Sequence, residues 1–223
     1  MNGHPFHGPS AVDWDSKGNM WVANDISNSI LKIERTGGAV VFGMSGESAS
    51  LFKRPLGLAI NSRDVVYVTN ILGNSIIRIY PNGQVETVVK GKPLFGPLGV
   101  SIDSLDNIFV ANAENNQILK IKYPRGPITL YASSRDRPQV AGPQGLTTDS
   151  RDNLFVANGM NNVLVIDSHG SIREFAKVRL DIWEMALLYC VLHSRVGCYV
   201  VRAHWLWTRK TTSLCRIQLE EKS

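Results

Sequence analysis

The repeated part of this chain contains no cysteine. All three cysteines of the 223-residue sequence, Cys190, Cys198 and Cys215, lie beyond residue 177. The repeats therefore need no disulfide, and an odd number cannot all pair within one chain. His4, His7, His169, His193 and His204 share no metal-ligand spacing with each other or with a cysteine. An excess of one charge is also missing where the repeats lie. Residues 1–176 carry 16 Lys and Arg against 15 Asp and Glu, whereas residues 177–223 carry 8 against 4. The formal charge of +5 thus belongs mostly to the C-terminal segment, which argues against a polyanion-binding protein. Aromatics make up only 8%, and Phe52 beside Lys53 and Arg54 is the one cluster suited to stacking on a base, so nucleic acid is an unfavoured partner. Long apolar runs are absent too. The longest, "IWEMALLYCVL" (182–192), has 11 residues and is followed by His193 and Arg195. A membrane helix needs about 20 apolar residues, so no span is expected. The opening "MNGHPFHGPS" has neither a basic flank nor an apolar core, so no secretory signal is read there, and a cytoplasmic location is the default expectation.

What the chain does have is one phrase written four times: "NMWVANDISNSILKI" (19–33), "VVYVTNILGNSIIRI" (65–79), "NIFVANAENNQILKI" (107–121) and "NLFVANGMNNVLVI" (153–166). Pro9, Pro55, Pro97 and Pro143 anchor the copies at spacings of 46, 42 and 46 residues, a period that points to a repeat architecture. In the third copy "PLGVSID" (97–103), "IFVAN" (108–112), "QILKIK" (117–122) and "ITLYAS" (128–133) read as strands. They are short β-branched and aromatic runs bounded by Gly, Pro, Asn and Asp. No segment before residue 178 shows a helical period. Four antiparallel strands per copy, repeated radially, make the blade of a β-propeller. Gly57, Gly99 and Gly145 stand two residues after the anchoring proline, where an inner strand near the axis is crowded, and Ala11 takes that place in the first copy.

"GPLGVSIDSLDNIFVANAENNQILKI" (96–121) resembles an NHL repeat. The resemblance covers roughly residues 8–176 and implies an all-β fold of four-stranded NHL-like blades, at about 8–43, 54–90, 96–133 and 142–177. Propellers of that family usually carry about six blades and this chain writes four, so an open or incomplete propeller is expected, with self-association through open blade edges. The family includes scaffolds, sensors and enzymes. Its gluconolactonase-like members place Glu where "HGPSAVDWD" has His7, and the later blades that carry the streptogramin-lyase site have no counterpart here. No G-x-S-x-G element and no phosphate loop is present. The expectation is a non-catalytic binding module with no catalytic residue, metal or cofactor. A truncated or degenerate lactonase- or lyase-like enzyme is the alternative.

Four repeated asparagines, Asn24, Asn70, Asn112 and Asn158, close the second strand of each copy, and a second Asn follows four residues later at Asn28, Asn74, Asn116 and Asn162. Asn tolerates left-handed backbone and bonds its own loop, so these read mainly as turn residues, with an exposed amide that a ligand could reach. Asp15, Asp103 and Asp149, with Asn61 in the second copy, end the first strand and read as Asx-turns rather than as a cation-binding ring. Function tends to sit where the blades differ. The longer connectors "GMSGESASLFKRP" (43–55) and "SSRDRPQVAGP" (133–143) carry Lys53, Arg54, Arg135 and Arg137, the expected binding residues for a protein or small-molecule ligand, with the four repeated Asn beside them.

Residues 178–223 show no trace of the repeat. Either they cap an open blade face, or they do not belong to the ancestral fold. Deleting them separates the two: a marked fall in melting temperature or solubility identifies a cap, and unchanged stability identifies an extraneous segment.

Overall fold

The computed structural model describes residues 6–43, 51–124, 126–135 and 139–177, all within the first of the chain's two units, Met1–Val178. The expectations for Arg137 and for residues 178–223 lie outside the described residues.

Sixteen strands form four separate four-stranded sheets, each built from one contiguous stretch of chain. Blade one contains β1 (Pro9–Trp14), β2 (Met20–Asn24), β3 (Ser29–Ile33) and β4 (Ala39–Phe42). Blade two contains β5 (Pro55–Ile60), β6 (Val66–Asn70), β7 (Ser75–Ile79) and β8 (Val85–Lys90). Blade three contains β9 (Pro97–Ile102), β10 (Ile108–Asn112), β11 (Gln117–Ile121) and β12 (Ile128–Ser133). Blade four contains β13 (Leu146–Thr148), β14 (Leu154–Asn158), β15 (Asn162–Ile166) and β16 (Ile172–Lys177). Every pairing is antiparallel between sequence neighbours, which gives four meanders. A single 3₁₀ turn, Ala113–Asn115, is the only helical element among the described residues. In blade four the first strand starts three residues after Pro143, whereas in the other blades it starts on the equivalent proline.

The β-branched residues of each strand alternate between two faces, and both faces are apolar, because each blade packs on a neighbour. The seam between blades one and two buries Trp21, Ala23 and Ile30 against Leu58, Val68 and Ile77. The next seam buries Ala59, Tyr67 and Ile76 against Val100, Val110 and Leu119. The third buries Phe109, Ala111 and Ile118 against Leu154, Val156 and Leu164. Each fully buried Val, Leu or Ile contributes about 1.5–3 kcal/mol. Trp21, Tyr67 and Phe109 hold one equivalent position, so each seam has an aromatic side chain facing the following blade. Inner strand β1 lies beside β5, β5 beside β9 and β9 beside β13. Among the described residues blades four and one form no such seam, so the ring is open.

The crowding expected at the inner glycines is present where a blade follows. A Cβ on Gly57 would run into the carbonyl oxygen of Leu98, and one on Gly99 into that of Gln144. Among the described residues no blade follows Gly145, and the nearest neighbour of its Cβ would be the Ala157 Cβ at 3.6 Å. Gly57→Ala and Gly99→Ala are therefore expected to destabilise the protein by about 1–3 kcal/mol each. Gly145→Ala should stay within about 0.5 kcal/mol. Urea unfolding of the three variants checks this contrast.

Candidate functional site

The turns between the first and second strands of each blade lie on one side of the arc. Asp15, Asn61, Asp103 and Asp149 each start such a turn. Asp103 Oδ1 accepts the N–H groups of Leu105 (3.1 Å) and Asn107 (2.8 Å), and its Oδ2 accepts the Asn107 amide (2.8 Å). Asp149 repeats this with Arg151 and Asn153, and Asn61 does so with Arg63 and Val65. These are Asx-turns, with the carboxylates engaged by their own loops. Hydrogen bonds from the Asn153 side chain and backbone hold the Asp149 carboxyl below its usual value. At Asp15 burial opposes ionisation, yet donors from Asn19, Trp21 and Lys17 outweigh it and its carboxyl is also depressed.

The last residue but one of each turn joins neighbouring blades. Asp64 accepts the N–H and hydroxyl of Ser16 at 2.8 and 2.7 Å. Asp106 does the same for Ser62 (3.0 and 2.9 Å), and Asp152 for Ser104 (2.8 and 2.7 Å). All three aspartates have left-handed backbone, with φ of 59°, 63° and 60°. Gly18 holds this position in blade one. The Ser104 hydroxyl, then its N–H, hold the Asp152 carboxyl below the ordinary carboxylate value.

The opposite side carries the loops between second and third strands together with the connectors from blade to blade. Here the four repeated asparagines are buried, at 0–7% exposure. Their Oδ1 atoms accept the N–H groups of His7 (3.4 Å), Lys53 (3.3 Å), Phe95 (2.7 Å) and Ala141 (2.8 Å), each two residues before the anchoring proline. Asn24, Asn70, Asn112 and Asn158 thus fasten the connector entering their own blade. A ligand on this side would meet the connector backbone rather than the buried amides.

The second asparagines join blades. Asn28, Asn74 and Asn116, all left-handed, accept the N–H groups of Arg54 (2.6 Å), Gly96 (2.8 Å) and Gly142 (2.6 Å) from the following connector. In the fourth copy the left-handed residue is Asn161, not Asn162. That loop is one residue shorter, and Asn162 opens β15, where its Oδ1 accepts the Asn158 amide at 2.9 Å.

Of the expected cations, Arg54 is paired: its Nε and Nη2 donate to Asp25 at 2.7 and 2.9 Å, which depresses the Asp25 carboxyl. Lys53 and Arg135 are exposed and make no ion pair among the described residues. Lys90 and Lys92, also exposed, end β8 and follow it on the same side. The sequence reading missed the apolar loop tips between them. Ile26, Leu72 and Met160 are 69%, 67% and 53% exposed at equivalent loop positions, with Glu114 in the third blade. Their signal in the sequence is the apolar residue just before Ser-Asn, Gly-Asn and Asn in three of the four loops.

The inner strands line a channel of about 330 Å³ formed by residues including Val12, Asp13, Ile60, Ser101 and Thr148. Asp13 uses both carboxylate oxygens on the N–H groups of Trp14 and Ile60. Among the described residues no group of three His, Cys, Asp or Glu is placed to hold a metal ion.

Solved structures share this arrangement. A virginiamycin B lyase from Staphylococcus aureus, solved with quinupristin, superposes with a TM-score of 0.66 at 22% identity over 80% of this chain and 58% of that one. The chain is an open β-propeller. A gluconolactonase from Xanthomonas campestris gives a TM-score of 0.59 at 18% identity, over 74% of this chain and 60% of its own. A chain of a nidogen/laminin complex gives 0.56 at 24%, over 69% and 60%. This propeller therefore spans little more than half the length of its structural neighbours. No protein-family model and no curated protein matches the sequence.

The depressed carboxyls set a pH dependence. Asp15, Asp25, Asp149 and Asp152 have lower values in the folded chain than the usual 3.8. Their stabilisation is complete above the unfolded value and is lost as pH falls through the folded one. The urea midpoint should hold steady from about pH 7 to 5 and fall below about pH 4. Asp152→Gly, which suits the left-handed backbone, should flatten that acid limb.

Proposed function

We propose that the chain is a non-catalytic binding module of the NHL type that takes an acidic protein segment on its loop face. Residues 1–177 form the module and 178–223 a non-repeat segment outside it. The observation that carries this reading is the composition of the face: exposed apolar tips Ile26, Leu72 and Met160 stand among the exposed cations Lys53, Lys92 and Arg135. Apolar tips supply contact area and the exposed cations select an acidic partner. The rigid blades beneath hold loops that differ from one copy to the next, as binding surfaces on repeat scaffolds do. Likeness to a chain of the nidogen/laminin complex is consistent with such use of the fold.

An enzyme is the second reading, because a lyase and a gluconolactonase share the fold. The chain's own carboxylates weigh against it: Asp13, Asp103 and Asp149 are all engaged by backbone N–H groups. Lys53→Glu combined with Arg135→Glu is expected to weaken binding of an acidic, leucine-bearing probe peptide at least about tenfold, read by fluorescence anisotropy, with the melting temperature unchanged. Equal binding by the double variant, or turnover of a lactone by the parent chain, contradicts the module.

A further inference from the structure

Each seam is closed in the same way at three levels. On the turn side a serine donates its N–H and hydroxyl to an aspartate of the following blade. On the loop side a left-handed asparagine accepts an N–H from the residue before the following blade's proline. Between them an aromatic and a β-branched residue pack on the next sheet, beside Ala23 or Ala111, or beside Thr69, which donates its hydroxyl to Leu98 of the next blade. Blade four carries the leading half of all three. Ser150 and Asn161 occupy the serine and asparagine positions and make no hydrogen bond among the described residues. Phe155, Ala157 and Val163 stand where Phe109, Ala111 and Ile118 stand in blade three. Ala157 is exposed, and Phe155 is half-buried and meets the Phe175 ring edge-on at a ring distance of 5.2 Å.

Blade one carries the trailing half. Gly8 is left-handed (φ 68°), as Arg54, Gly96 and Gly142 are, and precedes Pro9 as they precede their prolines. Among the described residues its N–H has no acceptor, while its carbonyl accepts from Asp25 as those of Arg54 and Gly96 accept from Ile71 and Ala113. Val12 and Trp14 hold the positions at which Leu58 and Ile60 pack on the preceding blade, yet they are 58% and 61% exposed. One element is missing: Gly18 stands where Asp64, Asp106 and Asp152 supply the carboxylate.

We propose that the outward face of blade four is a docking surface for blade one of a second copy of this chain. The copies join head to tail through the Asn161–Gly8 clasp and the apolar faces, and Gly18 leaves the serine–carboxylate clasp unmade. The interface is heterologous, so it propagates or closes into a ring rather than stopping at a two-fold dimer. It continues the geometry of the three seams within the chain, and its weakness is set at one residue. Gly18 is already left-handed, and a Cβ there would come within 3.2 Å of only the flexible Arg35 side chain, so an aspartate fits.

Sedimentation velocity of the full chain from about 1 to 200 µM tests this. The parent is expected to associate reversibly with concentration. Gly18→Asp should tighten association about tenfold, and adding Ser150→Ala should return it to the parent level. Ala157→Arg, at an exposed position, should abolish it in both backgrounds with an unchanged melting temperature. Association that survives Ala157→Arg, or a folded Gly18→Asp chain with the parent's mass distribution, overturns the proposal.

Discussion

The seam between blades is the constraint on which everything else depends. A single four-stranded meander with two apolar faces has nowhere to bury both, so a blade is stable only against its neighbours. The apolar contacts supply most of the attraction, but they carry little directional information. Register between blades comes from the polar pairs at the two ends of each seam. Serine meets aspartate on the turn side, and asparagine meets a connector N–H on the loop side. With both ends fixed, one blade cannot slide along the next.

The turn-side pair has a conformational cost. An L-residue in the left-handed region is disfavoured by about 1 kcal/mol, and glycine would sit there freely. Three of the four blades nevertheless place Asp at that point. Two hydrogen bonds to a carboxylate offset the strain, because bonds to a charged acceptor are the stronger kind. In blade one, whose turn meets no such serine among the described residues, the position is Gly18. Asp stands at this point in the three turns that face a serine of the preceding blade.

How legible this was depended on the range of the interaction. The strands were plain because their determinants are local: β-branched runs, a period of two, and Pro, Gly and Asn at the ends. All four strands expected for the third copy fall within a residue of their places. The Asx-turns of Asp103 and Asp149 were equally local. The sequence suggests that the repeated Asn24, Asn70, Asn112 and Asn158 bond their own loops, and three of the amides do reach across them, but their Oδ1 atoms also hold a connector 17 residues upstream, which no local pattern shows. Asn162 was matched to Asn28 by counting, whereas backbone handedness selects Asn161, because two adjacent asparagines conceal a one-residue deletion. The seam pairs span 44 to 48 residues and could not be seen from any single copy. Only alignment of the four turns, S-K-G against S-R-D, S-L-D and S-R-D, exposes the one blade that differs.

The central claim is that the polar pairs couple the blades energetically rather than merely decorate the seam. A double-mutant cycle across the middle seam tests it most directly, with Ser62→Ala and Asp106→Gly measured singly and together by urea unfolding. The account predicts a coupling energy of about 0.5–1.5 kcal/mol between two residues 44 positions apart. Strictly additive effects would contradict it and leave the apolar faces alone to hold the blades in register.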